Sequence, residues 1–135
     1  MSAKGKTFFD TNVLLYLLSA DSVKARRAED LMSDGGVISV QVLNEFASVA
    51  TRKLRMAIAE VQECLDPIRG VCDVEPVTLE THLRGLELAQ RYGFSIHDSM
   101  IVAAASLAGC EILYSEDWQD GQQIGELLIS NPFAR

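Results

Sequence analysis

The amino-acid sequence predicts a three-layer α/β/α fold with a mostly parallel central sheet. Short apolar runs of strand type alternate with longer stretches of helical period from end to end, an order that calls for right-handed crossovers covering both faces of one sheet. Size agrees. With 135 residues, 48% hydrophobic and 23% charged, the chain has the composition of a globular protein, and residues 1–135 are expected to form a single domain.

The elements follow in order. Thr7-Phe8-Phe9 runs into Asp10-Thr11-Asn12, side chains that cap helices and oppose strand continuation, so a short buried strand is expected over 5–9 and a helix from Val13 to Leu18. Ala20-Asp21-Ser22 interrupts the pattern, and Ala25, Ala28, Leu31 and Met32 form one stripe of a second helix over Lys24 to Met32. After Gly35-Gly36, Val37 to Val40 reads as a second strand, followed by a helix to about Arg55. Leu54, Ile58, Val61, Leu65 and Ile68 recur at steps of four and three, which predicts one face of another helix, ended or kinked near Pro67. Cys72 to Val77 is a weak short strand. Leu79, Leu83, Leu86 and Ala89 predict an amphipathic helix closed by Gly93. His97-Asp98-Ser99 then opens an alanine-rich apolar helix to Leu107, ended by Gly109. Cys110 to Ser115 is a strand, and Ile124 to Ile129 is expected as a last one after the polar turn Asp117 to Gly121.

Composition excludes several classes. The longest apolar stretch, Ile101 to Ala108, is interrupted by Ser106 and falls far short of the ~20 residues of a membrane span. Lys4 and Lys6 precede an apolar stretch that Asp10 and Asn12 break, so no secretory signal forms and a cytoplasmic location is expected. Twelve Lys and Arg against nineteen Asp and Glu give a net charge of -7, so bulk attraction to nucleic acid is excluded and any such role needs local cations. Cys64, Cys72 and Cys110 are odd in number and lack C-x-x-C spacing, which reads as free buried thiols. His82 and His97 lie too far apart in sequence for a two-histidine zinc helix.

In open α/β sheets ligands sit beyond the carboxyl ends of the strands. Asp10 closes the first strand, Glu45 lies in the helix after the second, Asp98 starts the apolar helix, and Asp117 follows the strand that ends near Ser115. Brought to one edge, such carboxylates repel by ~4 kcal/mol per pair at ~4 Å and an effective dielectric near ~20. A hard cation relieves that repulsion, and magnesium or manganese suits an all-oxygen set and retains waters that can attack phosphorus. Each acid also has an ordinary structural reading: Asp10, or its neighbours Thr11 or Asn12, as the cap of the next helix, Asp98 as a cap or a helix-dipole partner, Glu45 as a solvated helix residue, Asp117 as turn chemistry. Arg52, seven residues after Glu45, returns to the same helical face ~10 Å along the axis and is the best-placed cation for RNA. Lys53, Arg55, Lys24, Arg26 and Arg27 are weaker choices.

The stretches Phe8-Phe9-Asp10-Thr11-Asn12-Val13-Leu14-Leu15-Tyr16, Asn44-Glu45-Phe46, His97-Asp98-Ser99 and Tyr114-Ser115-Glu116-Asp117-Trp118 resemble, in order, the four acidic motifs of PIN domains. The tail from Ser115 through Asp120-Gly121 to Asn131-Pro132-Phe133 further resembles the VapC-like toxins of bacterial type II toxin–antitoxin pairs. The resemblance implies a magnesium-dependent endoribonuclease with Asp10, Glu45, Asp98 and Asp117 as its acids and Asn12 and Ser115 as polar supports. It also implies a homodimer and a partner antitoxin that plugs the site. In that reading Asp10, Asp98 and Asp117 are the metal-binding residues, Glu45 orients or deprotonates the attacking water, and Asp120 is a candidate outer ligand. The third motif carries His97 where the family usually has an aromatic residue, and Ser99 where it has alanine.

Two rival enzyme classes share a strand-end aspartate. A dehalogenase-type phosphotransferase requires D-x-D, where this chain has Asn12, and both it and a response-regulator receiver require a late lysine, whereas the last lysine here is Lys53. A binding module without catalysis, in which the acids serve as caps or as a docking surface, is the alternative of a different kind.

Overall fold

The computed structural model describes residues 6–134. Six strands form one sheet in the order β3-β2-β1-β4-β6-β5. The strands are β1 (Thr7–Phe9), β2 (Gly36–Ser39), β3 (Cys72–Glu75), β4 (Ile112–Tyr114), β5 (Gln123–Ile124) and β6 (Leu127–Ser130). All neighbours pair in parallel except β5 with β6. The helices are α1 (Thr11–Tyr16), α2 (Ser22–Met32), α3 (Val40–Arg52), α4 (Ile58–Val71), α5 (Leu79–Tyr92) and α6 (Ile96–Leu107). The expected α/β architecture is therefore observed; of the first expected strand, Gly5 lies outside the described residues.

Strand β1 occupies the middle because Phe8 and Phe9 are buried on both faces of the sheet, as a central parallel strand requires. The chain passes from β1 outward to β2 and β3, then crosses to β4 on the other side of β1. The direction of winding thus reverses between β1 and β4, the position at which parallel sheets open a crevice at their carboxyl ends. Helix α6 carries an unbroken buried run from Ser99 to Ala105, as its nearly all-apolar sequence demands. None of the helices among the described residues is long and apolar enough to cross a membrane. Cys72 and Cys110 are buried free thiols and Cys64 is half-buried; burial raises the first two to about 11.

Several local expectations are corrected. Val40 is the first residue of α3 and not the end of β2, because the Ser39 hydroxyl accepts from the Val42 N–H at 3.3 Å and starts the helix one residue earlier. That helix stops at Arg52 and not near Arg55, whose φ of 57° turns the chain. The same turn separates Leu54 from α4, where Val61 and Ile68 are buried while Ile58 faces solvent. Pro67 does not end α4, since the buried Val61 and Ile68 anchor the helix on both sides of it through to Val71. The expected strand over Ile124 to Ile129 is a hairpin of β5 and β6, turned at Gly125 with φ 58°.

The apolar row of α5 also faces the unexpected way. Its buried positions are Thr81, Gly85 and Leu88, whereas Leu79, Leu83 and Leu86 are 71%, 54% and 42% exposed. Small residues win the inner face because α5 lies close on α6: a Cβ at Gly85 would stand 2.6 Å from the Met100 sulfur.

Gly35 shows where the backbone leaves no choice. Its φ is +81°, and a Cβ would lie 2.5 Å from the Val71 carbonyl oxygen at the end of α4. Gly35→Ala should lose ~2–4 kcal/mol, from a left-handed alanine plus overpacking against backbone. A fall in the urea midpoint with an unchanged denaturant slope is the expected measurement.

Candidate functional site

Asp10 is the N-cap of α1 and is buried. Its Oδ1 accepts the Thr11 N–H at 2.7 Å. Its Oδ2 accepts the Ser115 hydroxyl at 2.8 Å and the Asn12 amide at 3.3 Å. The Ser115 oxygen in turn accepts from the Asp117 N–H at 3.1 Å and from Asn12 Nδ2 at 3.3 Å. Ser115 therefore joins the end of β4 to the end of β1, on the two sides of the switch point. Cap and site are one arrangement here, since capping holds the Asp10 carboxylate at the crevice.

Beside it opens a cleft of about 450 Å³, lined by Thr11, Asn12, Leu15, Glu45, Ser48, Val49, Arg52, His97 and Asp117. Glu45, Ser48, Val49 and Arg52 fall at i, i+3, i+4 and i+7 of α3, so Arg52 shares the face of Glu45 as expected; its Nε donates to Ser48 Oγ at 3.0 Å. Glu45 is held from two sides, Oε2 accepting the Thr11 hydroxyl at 2.8 Å and Oε1 lying 2.6 Å from His97 Nδ1. Glu116 accepts the Tyr16 hydroxyl, which itself accepts from Lys24 Nζ at 3.1 Å, and is not among the residues that line the cleft. Asp117, and not Glu116, thus faces the cleft. Asp120 accepts the Asn131 N–H at 2.8 Å and ties its loop to the end of β6 instead of lining the cleft.

Asp98 stands differently. The cap of α6 is Ser95, which accepts the Asp98 N–H at 3.2 Å, so the cap reading fails for Asp98 itself. It is half-buried in the first turn of α6, next in sequence to His97 of the cleft. Asp117 and Glu45 both act on the Asp10 carboxyl, whereas Asp98 is not among the residues that line the cleft.

Burial pushes the Asp10 carboxyl up to about 7, with Asp117 and Glu45 adding to the rise and the bonds from Ser115 and the Thr11 N–H opposing it. The Asn12 side-chain oxygen, Oδ1, is buried with no hydrogen-bond partner among the described residues. No three His, Cys, Asp or Glu side chains among the described residues are close enough to enclose a metal ion. These donors fit a hard, hydrated divalent cation, since magnesium keeps several waters and uses one or two carboxylates. An unsatisfied amide oxygen and a carboxylate disfavoured as an anion are the groups such a cation would relieve.

Thr11, Gln41, Ser48 and His97 hold or line the site without being among the site residues expected from the sequence. For Gln41 the available signal is its i, i+4 spacing from Glu45, which allows a same-face hydrogen bond; it is formed, at 3.2 Å.

The sequence matches the profile of the PIN domain over residues 7–122. The chain belongs to the PIN domain family. Several solved structures share this PIN fold. One from a toxin–antitoxin complex of Klebsiella pneumoniae is 21% identical, covers 95% of this chain and 98% of that one, and superposes with a TM-score of 0.73. Mycobacterium tuberculosis VapC20, a sarcin–ricin loop cleaving toxin, is 20% identical over 83% of this chain and 90% of its own, with a TM-score of 0.68. The VapBC2 complex of Rickettsia felis, bound to a fragment of its promoter DNA, gives 20% identity, 93% and 97% coverage and a TM-score of 0.66. No curated protein sequence matches this PIN domain.

The raised Asp10 carboxyl links stability to pH. A group whose folded pKa exceeds its unfolded value contributes stability fully below the unfolded value and loses it as pH rises through the folded one. The window therefore runs from 3.8 to about 7, a difference worth ~4 kcal/mol. In EDTA, Asp10→Asn should gain stability relative to the unsubstituted protein as pH rises from ~4 to ~8. Urea midpoints for both proteins across that range check it; a constant difference would mean that Asp10 ionises without penalty.

Proposed function

We propose that this PIN domain is a divalent-metal-dependent endoribonuclease that hydrolyses RNA phosphodiester bonds and acts as the toxin of a type II toxin–antitoxin pair. The observation that carries the reading is the buried Asp10 carboxyl beside Glu45 and Asp117 at the strand-end crevice. In water-poor surroundings such a group is tolerated when it has work with a cation or a proton. The fold shared with toxin–antitoxin proteins, one of them described as a sarcin–ricin loop cleaving toxin, supports the toxin assignment.

Asp10, Asp117 and Asp98 are the side chains to hold magnesium or manganese, with Asn12 Oδ1 as a neutral oxygen donor. The cation, when bound, supplies Lewis-acid stabilisation of phosphorane charge and a water of lowered pKa. Ser115 keeps Asp10 and the Asp117 backbone in fixed relation. Glu45 orients the attacking water, and Arg52 receives a phosphate of the incoming strand along α3. A cognate antitoxin is the proposed inhibitor, a cationic side chain being the chemical complement of the acidic cleft. The exposed leucines of α5 are the surface proposed for a homodimer.

Purified protein should cleave single-stranded RNA with magnesium and lose that activity in EDTA, and Asp10→Asn or Asp117→Asn should lower cleavage at least ~10²-fold, the scale of an essential electrostatic group. Magnesium at a hundred times its dissociation constant should stabilise the protein by ~2.7 kcal/mol. Asp98→Asn should lose most of that response, and an equal response would remove Asp98 from the site. Arg52→Gln should flatten the salt dependence of RNA binding by ~0.7 in slope, the share of one single-strand phosphate contact; an unchanged slope would make Arg52 a solvated surface group.

A further inference from the structure

Three close contacts meet at Gln41, in the first turn of α3. Its side-chain nitrogen lies 2.9 Å from the His97 carbonyl oxygen, 3.2 Å from Glu45 Oε1 and 3.0 Å from His97 Nδ1. His97 Nδ1 is itself 2.6 Å from Glu45 Oε1. Two acceptors could not share that separation, so Nδ1 carries the hydrogen and donates to Oε1. The two hydrogens of the Gln41 amide then go to the His97 carbonyl and to Oε1. Both lone pairs of Oε1 are thereby filled. On Oε2 the Thr11 hydroxyl at 2.8 Å is the one donor among the described residues, and the Thr11 N–H binds Asp10 at 2.7 Å. The free acceptor position of Glu45 is therefore on the oxygen that shares Thr11 with Asp10.

We propose that Gln41 and His97 form a positioning clamp that joins α3 to the start of α6, fixes Glu45, and leaves Oε2 as the oxygen it presents to the cleft. The clamp explains a second feature of the site. By holding the His97 carbonyl and ring against α3, it sets the register of the next residue, Asp98, relative to Glu45. His97 is a positioning residue in this arrangement, acting through Glu45 and not on the phosphate. Its side chain is 73% exposed, so its substitution should leave folding intact.

As a device for hydrolysis the clamp rests on the nuclease reading, and two measurements separate the two ideas. In the first, Gln41→Leu and His97→Leu should each lower kcat for RNA cleavage about tenfold with KM unchanged, the effect of one charge-assisted hydrogen bond. The double variant should be no slower than either single one. His97→Asn, whose amide N–H reaches the place of Nδ1–H, should restore most of the rate. Multiplicative losses, a loss in KM alone, or an Asn variant no better than Leu would overturn the clamp. In the second, nitrogen NMR of the neutral imidazole should find His97 protonated on Nδ1 in the unsubstituted protein, with His82→Gln used for assignment. Protonation on Nε2 would overturn the clamp even in an active enzyme. An Nδ1–H tautomer in a protein that cleaves no RNA would leave the clamp standing and remove the nuclease reading.

Discussion

A carboxylate kept out of water at the end of the central strand is the constraint on which this structure turns. Strand β1 must be apolar to sit between two parallel neighbours, and Phe8 and Phe9 meet that demand. The next residue, Asp10, inherits their burial while starting α1. A carboxylate so placed is sustained by hydrogen bonds, and every donor that reaches it comes from the switch point: the Thr11 N–H, the Asn12 amide and the Ser115 hydroxyl. The bonds hold its shape without offsetting its desolvation, and so its affinity for protons stays high.

The remaining elements relate to that point through few contacts. Ser115 couples β4 to β1 and also anchors the backbone of Asp117. Thr11 links Asp10 to Glu45, so α3 is registered against α1 by one hydroxyl. Behind Asp117, the Tyr16 hydroxyl fastens Glu116, while the Tyr16 ring packs on Phe133 with centroids 4.5 Å apart. The cleft is thus shaped from outside as well as within, with the C-terminal segment bracing the loop that carries its third acid.

Much of this was legible in the sequence. Strands and helices alternate as expected because their periods differ and glycine, aspartate and serine mark the joints. Glu45 and Asp117 line one cleft beside Asp10 because each follows a strand on the same edge, and parallel topology sends those ends to one side. What escaped depends on packing. Nothing in the spacing of Leu79, Leu83 and Leu86 says that the opposite face, Thr81, Gly85 and Leu88, would be the buried one; that follows from the close seat of α5 on α6. The continuity of α4 through Pro67 is likewise decided by buried anchors on either side, which outweigh a local preference. Within the site, His97 and Gln41 lie fifty-six residues apart, so their meeting is a product of topology that no local pattern carries.

The two faces of α5 have separate duties. Its inner face is made of small or fitted residues whose replacement would disturb the seam with Met100, whereas its outer leucines contribute little to that seam. Sequence change on the outer face is therefore nearly free of folding cost. The pairing proposed for this helix can thus be altered by substitution while the scaffold beneath it stays as it is.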